Sequence, residues 1–310
     1  MSQVQKRQTV FLMAGFSVIL ILAVLAWAYW WNDFDFDRPE QPLRCGVSQR
    51  DASLSITRDQ RFIAFGDFGQ GTPFQTQLGT VMGEVYREKP FATALLLGDN
   101  IYPDGNIKKY RVSRFEKPYA DLIRNNVRFL AAIGDHDDRK AHLPDQMAYF
   151  KMPDKYYKVS HGNTDFFILN TTFFVRSPEQ QTWIKKSLQD SIAQWKIVVG
   201  HHPLYSSGRN GNTEGLKKIL EPLLIENQVD FYLSGHDHGY ERFSEMQGVQ
   251  YIVSGGGGSF LYSFKEPKRN GSVLRLRTHH FLLFEVDEHQ LAMSVINRFG
   301  DTVDCIYKSK

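Results

Sequence analysis

The chain has 310 residues, a formal net charge of +3 and 42% hydrophobic residues. This length allows one large globular domain or two small ones. The net charge is too close to neutral to favour nucleic acid as a partner, and none is predicted.

The N-terminal region contains an uncharged, almost entirely apolar segment at residues 10–31. About 20 apolar residues suffice for a helix to cross a bilayer. Lys6 and Arg7 precede the segment and acidic residues follow it, which places the N-terminus in the cytoplasm and the rest of the chain outside. Aromatic residues at the outer end, including Trp30 and Trp31, favour an uncleaved anchor over the alternative, a cleaved signal peptide.

We therefore predict a single-pass membrane protein whose main body is periplasmic or extracellular. Four parts are expected: a cytoplasmic tail (1–9), a transmembrane anchor (10–31), a juxtamembrane linker (32–58) and an exported domain (59–310). The two cysteines, Cys45 and Cys305, bracket the exported region. Because disulfides persist outside the cytoplasm and two cysteines allow one pairing, a Cys45–Cys305 disulfide is expected. Two unpaired buried thiols are the alternative.

Short apolar runs recur along the domain and predict buried strands. They lie at residues 62–65, 94–97, 127–133, 166–169, 196–199, 229–233 and 251–253, and residues 281–297 alternate like a strand pair. Helices are expected from Thr72-Pro73 to just before Pro90, over 110–124, from Ser177-Pro178, and over 214–227 with a break near Pro222. Gln180 is placed to form a capping box with Ser177. This order predicts an α/β fold, a β-sandwich flanked by helices.

Five of these strands end in a glycine-containing turn that carries Asp or His. The side chains at these ends are Asp67, Asp99 with Tyr102, Asp135 with His136, His201 with His202, and His236 with His238. If the strands share a sheet edge, these side chains converge. Buried carboxylates and imidazoles need a compensating charge. A pair of metal ions about 3.5–4 Å apart would provide it and would clamp a phosphate for in-line displacement.

These strand-end blocks resemble the five motifs of the calcineurin-like metallophosphoesterases, and among them those of the small, tartrate-resistant purple acid phosphatases. The blocks are Gly66-Asp67, Gly98-Asp99-Asn100-Ile101-Tyr102, Gly134-Asp135-His136, Val198-Val199-Gly200-His201 and Gly235-His236-Asp237-His238. The resemblance implies a four-layer α/β/β/α fold. It also implies an acid phosphatase that hydrolyses phosphomonoesters by in-line attack of a metal-bound hydroxide. With the predicted anchor, the enzyme would be membrane-bound and exported.

The resemblance implies a first metal held by Asp67, Tyr102 and His238, with Asp99 bridging to the second. A phenolate is a hard anionic donor, so Tyr102 favours Fe(III) at the first position. The second metal would be divalent iron, zinc or manganese.

The same resemblance implies that Asp135, His201 and His236 hold the second metal. His136 would be the catalytic residue that stabilises the phosphate or protonates the leaving group. Asp135 stands where the family has Asn. Its extra negative charge is expected to tighten cation binding and to repel an anionic substrate.

Four further residues are expected around the site. Asn100 and His202 lie beside ligands, and Asp137 is placed to orient the imidazole of His136. Arg209 follows a turn where the family often carries His. It would either bind phosphate as a fork donor or face water.

Two alternative functions remain open. The first is a phosphodiesterase or pyrophosphatase that acts on nucleotides with two divalent metals. The second is a non-catalytic surface binding protein whose site is altered by Asp135.

Overall fold

The computed structural model describes residues 56–139, 141–265 and 268–310. The predicted cytoplasmic tail, the predicted anchor, most of the predicted linker and Cys45 lie outside these residues. Within the described ranges, no helix is both long and apolar enough to span a bilayer. The anchor and the Cys45–Cys305 disulfide therefore stay predictions.

The strands of the described region form two packed sheets. Their bounds are β1 (Arg61–Phe65), β2 (Thr93–Leu96), β3 (Arg128–Ala131), β4 (Tyr157–His161), β5 (Thr164–Ile168), β6 (Trp195–Val199), β7 (Phe231–Ser234), β8 (Tyr240–Phe243), β9 (Gln250–Ser254), β10 (Ser272–Leu276), β11 (His280–Val286), β12 (Gln290–Asn297) and β13 (Thr302–Ser309). Among these residues, one sheet has the order β13-β12-β11-β1-β2-β3 and the other β10-β8-β9-β7-β6-β5-β4.

Each sheet contains a block of neighbouring parallel strands. Strands β1, β2 and β3 are parallel, and so are β5, β6, β7 and β9. The tail strands β11, β12 and β13 pair antiparallel. Because the carboxyl ends of parallel strands lie at one edge of a sheet, the predicted site residues are brought to the same side of the molecule.

Apart from β3, whose first residue Arg128 is exposed, the parallel strands are buried on both faces. In β6, Ile197 and Val199 join the core between the sheets, whereas Val198 packs in the cluster under the outer helices. The rings of Phe62 and Phe166, one from each sheet, pack edge-on with centroids 4.9 Å apart. Burial on both faces explains why these strands are continuous apolar runs rather than alternating ones. The predicted two-sheet α/β sandwich is confirmed.

The helices cover the outer faces of the sheets. Their bounds are α1 (Pro73–Glu88), α2 (Ile107–Arg111), α3 (Ala120–Arg124), α4 (Leu143–Phe150), α5 (Pro178–Gln189) and α6 (Glu214–Glu226). The helix predicted over 110–124 is divided, because a π-helical turn at Val112–Glu116 separates α2 from α3.

Helix α6 is continuous, so the predicted break near Pro222 is wrong. The proline lies inside the helix and removes one backbone donor. Leu216, Leu220 and Leu224 recur at helical spacing and are completely buried. Packing of this apolar face keeps the helix intact despite the proline.

The predicted capping box of α5 is half right. The Ser177 hydroxyl accepts a hydrogen bond from the Gln180 backbone N–H at 3.4 Å. The Gln180 side chain instead bonds the backbone of Asn170, accepting at 2.9 Å and donating at 3.0 Å. Gln180 thus ties α5 to the loop after β5.

Candidate metal centre

The predicted ligands converge at the carboxyl ends of the parallel strands. They follow β1 (Asp67), β2 (Asp99), β3 (Asp135), β6 (His201) and β7 (His236, His238). Within the described residues, three overlapping groups place their ligand atoms within 4.8 Å of one another: Asp67, Asp99 and His201; Asp135, His201 and His236; and Asp99, Asp135 and His136. The structure therefore assembles the cluster that the motifs predicted.

The backbone is held in an unusual conformation at three of these residues. Asp67, Asp99 and His236 have φ angles of 57°, 52° and 69°. Residues other than Gly are uncommon in this left-handed region of backbone conformation, and such strained positions cluster at functional sites. Asp99 is tightly packed, because a Cβ at Gly134 would lie 2.2 Å from Asp99 Oδ1.

One half of the cluster joins Asp67, Tyr102 and His238. The Tyr102 hydroxyl lies 3.3 Å from Asp67 Oδ1 and 3.1 Å from His238 Nε2. His238 Nε2 lies 3.4 Å from the same Asp67 oxygen. The other ring nitrogen, Nδ1, is 2.7 Å from the Phe260 carbonyl. This contact assigns the proton to Nδ1 and leaves the Nε2 lone pair for a cation.

The other half joins Asp135, His201 and His236. Asp135 Oδ1 lies 3.5 Å from His201 Nε2 and 3.4 Å from His236 Nδ1. Asp99 Oδ1 also lies 3.5 Å from His201 Nε2, so Asp99 is placed between the halves. His201 Nδ1 is 2.9 Å from the Leu97 carbonyl.

His201 Nε2 is buried and has no hydrogen-bond partner within the described part of the chain. Buried polar atoms are normally satisfied. A buried imidazole nitrogen that faces two carboxylate oxygens fits a shared cation, which would replace the proton on Nε2 and bind all of them at once. The donor set of carboxylate, imidazole and phenol oxygens and nitrogens also suits transition metals.

The electrostatics of the cluster favour positive charge. Burial opposes ionisation of Asp67, but the charges of His201 and His238 lower the pKa of this carboxyl below its usual range. Burial likewise disfavours charge on His201, yet Asp99, Asp67 and Asp135 raise the pKa of its imidazole to about 10. The same carboxylates would attract a metal cation.

Tyr102 is a phenol in an acidic environment. Burial and the carboxylates of Asp67 and Asp99 raise the pKa of Tyr102 well above its usual value. The phenolate form therefore requires a cation that displaces the proton. This requirement fits a hard, highly charged metal ion beside Tyr102.

His136 lies beside the cluster, but its imidazole is not held by Asp137. Its backbone N–H donates to Asp99 Oδ1 at 2.9 Å, and ring Nδ1 is 2.7 Å from the Pro103 carbonyl. The predicted contact with Asp137 is therefore wrong.

The carboxylate of Asp137 instead fixes the loops that carry the ligands. It accepts from the backbone N–H groups of Asn100, Ile101 and Gly134 and from the side chain of Gln146. Burial and the charge of Asp99 raise the pKa of Asp137 to about 6.

The other predicted neighbours of the cluster, His202, Asn100 and Arg209, have different contacts. His202 Nδ1 is 3.0 Å from the Thr171 hydroxyl, and the His202 ring centroid is 4.5 Å from that of His236. The Asn100 amide donates to Asp137 Oδ2 at 2.9 Å. Arg209 is exposed, with its guanidinium 5.2 Å from the ring centre of Tyr262. Both interpretations of Arg209 therefore stay open.

Two residues at the site were not predicted. Tyr262 stacks on His238, with ring centroids 3.9 Å apart, and nothing in its sequence neighbourhood indicates this contact. The guanidinium of Arg139 donates a hydrogen bond to Asp135 Oδ2, with 2.5 Å between Nη2 and Oδ2. Opposite charges four residues apart were the available signal for that pair.

Comparison with known proteins identifies the family. A model of the calcineurin-like phosphoesterases matches residues 60–240. Purple acid phosphatase 7 of Arabidopsis thaliana is 30% identical over 253 residues, covering 71% of this chain and 74% of the relative. The chain belongs to the purple acid phosphatase branch of the calcineurin-like phosphoesterase family.

Other matches agree with this family. Tartrate-resistant acid phosphatase type 5 of Oryctolagus cuniculus is 28% identical over 291 residues, 78% of this chain and 89% of the relative. The structure of purple acid phosphatase PPD1 from yellow lupin aligns with a TM-score of 0.72 at 21% identity. That alignment covers 81% of this chain and 53% of the lupin chain, and it supports the fold. The predicted family resemblance and enzyme class are confirmed.

Proposed function

We propose that this family member is a binuclear, metal-dependent acid phosphatase that hydrolyses phosphate monoesters. The observation that carries the proposal is the position of Asp99. It shares one ligand group with Asp67 and His201, and another with Asp135 and His136. A carboxylate common to two adjacent ligand groups supports two metals rather than one.

The first metal position would be formed by Asp67, Tyr102 and His238 with Asp99. The contact of the Tyr102 hydroxyl with Asp67 and His238 supports Fe(III) there, because a phenolate prefers a hard cation. The second position would be formed by Asp135, His201 and His236 and would hold divalent iron, zinc or manganese. When bound, such ions activate a water molecule and neutralise charge on the phosphate.

His136 is proposed as the proton donor to the leaving group. Its Nδ1 is tied to the Pro103 carbonyl, which fixes the ring and leaves Nε2 available to the substrate. The His136 backbone N–H donates to Asp99, so the backbone that carries the imidazole is anchored directly to the cluster. A fixed general acid of this kind contributes about 10²–10⁴-fold in rate.

We also propose that the enzyme is anchored in a membrane and exported. The uncharged segment at residues 10–31, with Lys6 and Arg7 before it, supports a single-pass anchor with the N-terminus inside. Export would allow the Cys45–Cys305 disulfide to form.

The proposed activity is tested on the full-length chain in detergent. The measurement is aryl phosphate hydrolysis across pH together with the visible spectrum. We expect turnover with an acidic optimum and a phenolate-to-iron absorption band. A colourless protein that cleaves nucleotide diesters only with added Mn²⁺ would instead favour the diesterase alternative. Intact metal binding without turnover on either substrate would favour the binding-protein alternative.

A further inference from the structure

The two oxygens of the Asp135 carboxylate have different partners. Oδ1 faces the proposed second metal position, 3.5 Å from His201 Nε2 and 3.4 Å from His236 Nδ1. Oδ2 faces away and accepts a hydrogen bond from the Arg139 guanidinium at 2.5 Å. Both side chains belong to the turn after β3, so one local contact fixes the direction of the carboxylate.

We propose that Arg139 makes Asp135 act as the neutral, single-oxygen donor that an asparagine would be. The guanidinium cancels the extra negative charge and occupies the second oxygen, leaving only Oδ1 for a metal. Arg139 is thus a positioning and charge-compensating residue. This inference rests on the proposed function, since it assumes a metal beside His201 and His236.

The pair explains how Asp135 is compatible with an anionic substrate. A lone carboxylate would repel a phosphate ester and bind a divalent ion more tightly. With Arg139 in contact, both effects are offset, although the Arg139 side chain is 48% exposed and solvent weakens the compensation. An ion pair this exposed contributes little to folding stability, so its effect should appear in metal and substrate binding.

The test compares Arg139→Gln, Asp135→Asn and the double variant D135N/R139Q in the full-length chain. After chelator treatment, Zn²⁺ binding is measured by titration calorimetry, and KM is measured with an aryl phosphate. We expect R139Q to tighten Zn²⁺ binding and to raise KM, each by about two- to fivefold, the size of one half-exposed ion pair. The double variant should return both quantities to wild-type values, and Arg139→Lys should rescue them in part.

Arg124→Gln is the matched control, because Arg124 pairs with Asp121 at 2.6 Å on the surface. The thermal unfolding midpoint of each variant is also measured, so that a loss of folding is recognised. The proposal is overturned if R139Q behaves like R124Q, or if the double variant behaves like R139Q. If neither the wild type nor any variant hydrolyses the ester but Zn²⁺ affinity follows the expected pattern, the role proposed for the Asp135–Arg139 pair is supported and the proposed activity is contradicted. Absence of Zn²⁺ binding by the wild type would overturn both.

Discussion

At the scale of single residues, Tyr102 carries the prediction of metal identity. Its hydroxyl contacts Asp67 and His238, and its surroundings hold the phenol in its neutral form unless a cation is present. Tyr102→Phe keeps the ring and removes the oxygen. We expect iron affinity to fall about 100-fold or more, since losing even an outer partner of a ligand costs about 10–100-fold.

Iron content and the visible band measure this effect. Tyr262→Phe serves as the matched control, because it keeps the stack on His238 and should leave colour and iron content unchanged. Retention of the full visible band by Tyr102→Phe would contradict the assignment.

His136 tests the proton-donor role separately from metal binding. His136→Asn should lower kcat by about 10²–10⁴-fold. The metal content should stay close to that of the wild type, because the backbone N–H that contacts Asp99 remains. Steady-state kinetics with parallel metal analysis checks both statements. Wild-type kcat, or loss of both metals, would show that His136 has another role.

At the scale of secondary-structure elements, α6 shows how packing overrides a local signal. The helix passes through Pro222 because Leu220 and its neighbours are buried against the second sheet. Leu220→Ala should lower the free energy of unfolding by about 2–5 kcal/mol. Urea unfolding measures the change. The exposed neighbour Lys218→Ala should cost far less, and equal costs would show that the apolar face does not hold the helix.

The sequence predicted strands well where they are buried on both faces. Strands β1, β2, β6 and β7 are continuous apolar runs, so their position follows from composition alone. Strands β4 and β10 escaped prediction because they lie at sheet edges and mix charged with apolar residues. Their pairing depends on neighbouring strands rather than on their own pattern.

The clustering of the proposed metal ligands was predictable for a related reason. Each follows a glycine-containing strand end, and the parallel order brings those ends together. The partners of the ligands were less predictable. Asp137 binds loop backbone rather than His136, and Tyr262 reaches His238 from a distant loop. Such contacts depend on loop paths, which leave little periodic signal in the sequence.

At the scale of the whole molecule, two buried histidines make stability depend on pH. Burial and the charge of Arg298 lower the pKa of His279 to about 3, and burial lowers that of His280 to about 4. In the unfolded chain both pKa values lie near 6.5. Between these values the unfolded state binds more protons, so stability is highest above about pH 6.5 and falls as the pH decreases.

His280→Gln should therefore reduce the acid sensitivity. Because His280 stays neutral in the folded state, the free energy of unfolding of the wild type should be about 2 kcal/mol lower at pH 5 than at pH 7.5 through this residue alone. The variant should lack this part of the pH dependence. Urea unfolding at both pH values checks the difference between the two proteins. Comparing slopes removes contributions from groups common to both. An unchanged slope would contradict the buried, neutral state of His280.

The central claim is that two metal ions share Asp99. The most direct test is the metal content per chain of the full-length protein, measured by mass spectrometry after purification without chelators. We predict two metal ions per chain, at least one of them iron. One ion per chain, or none after supply of iron, zinc and manganese, would contradict the binuclear centre.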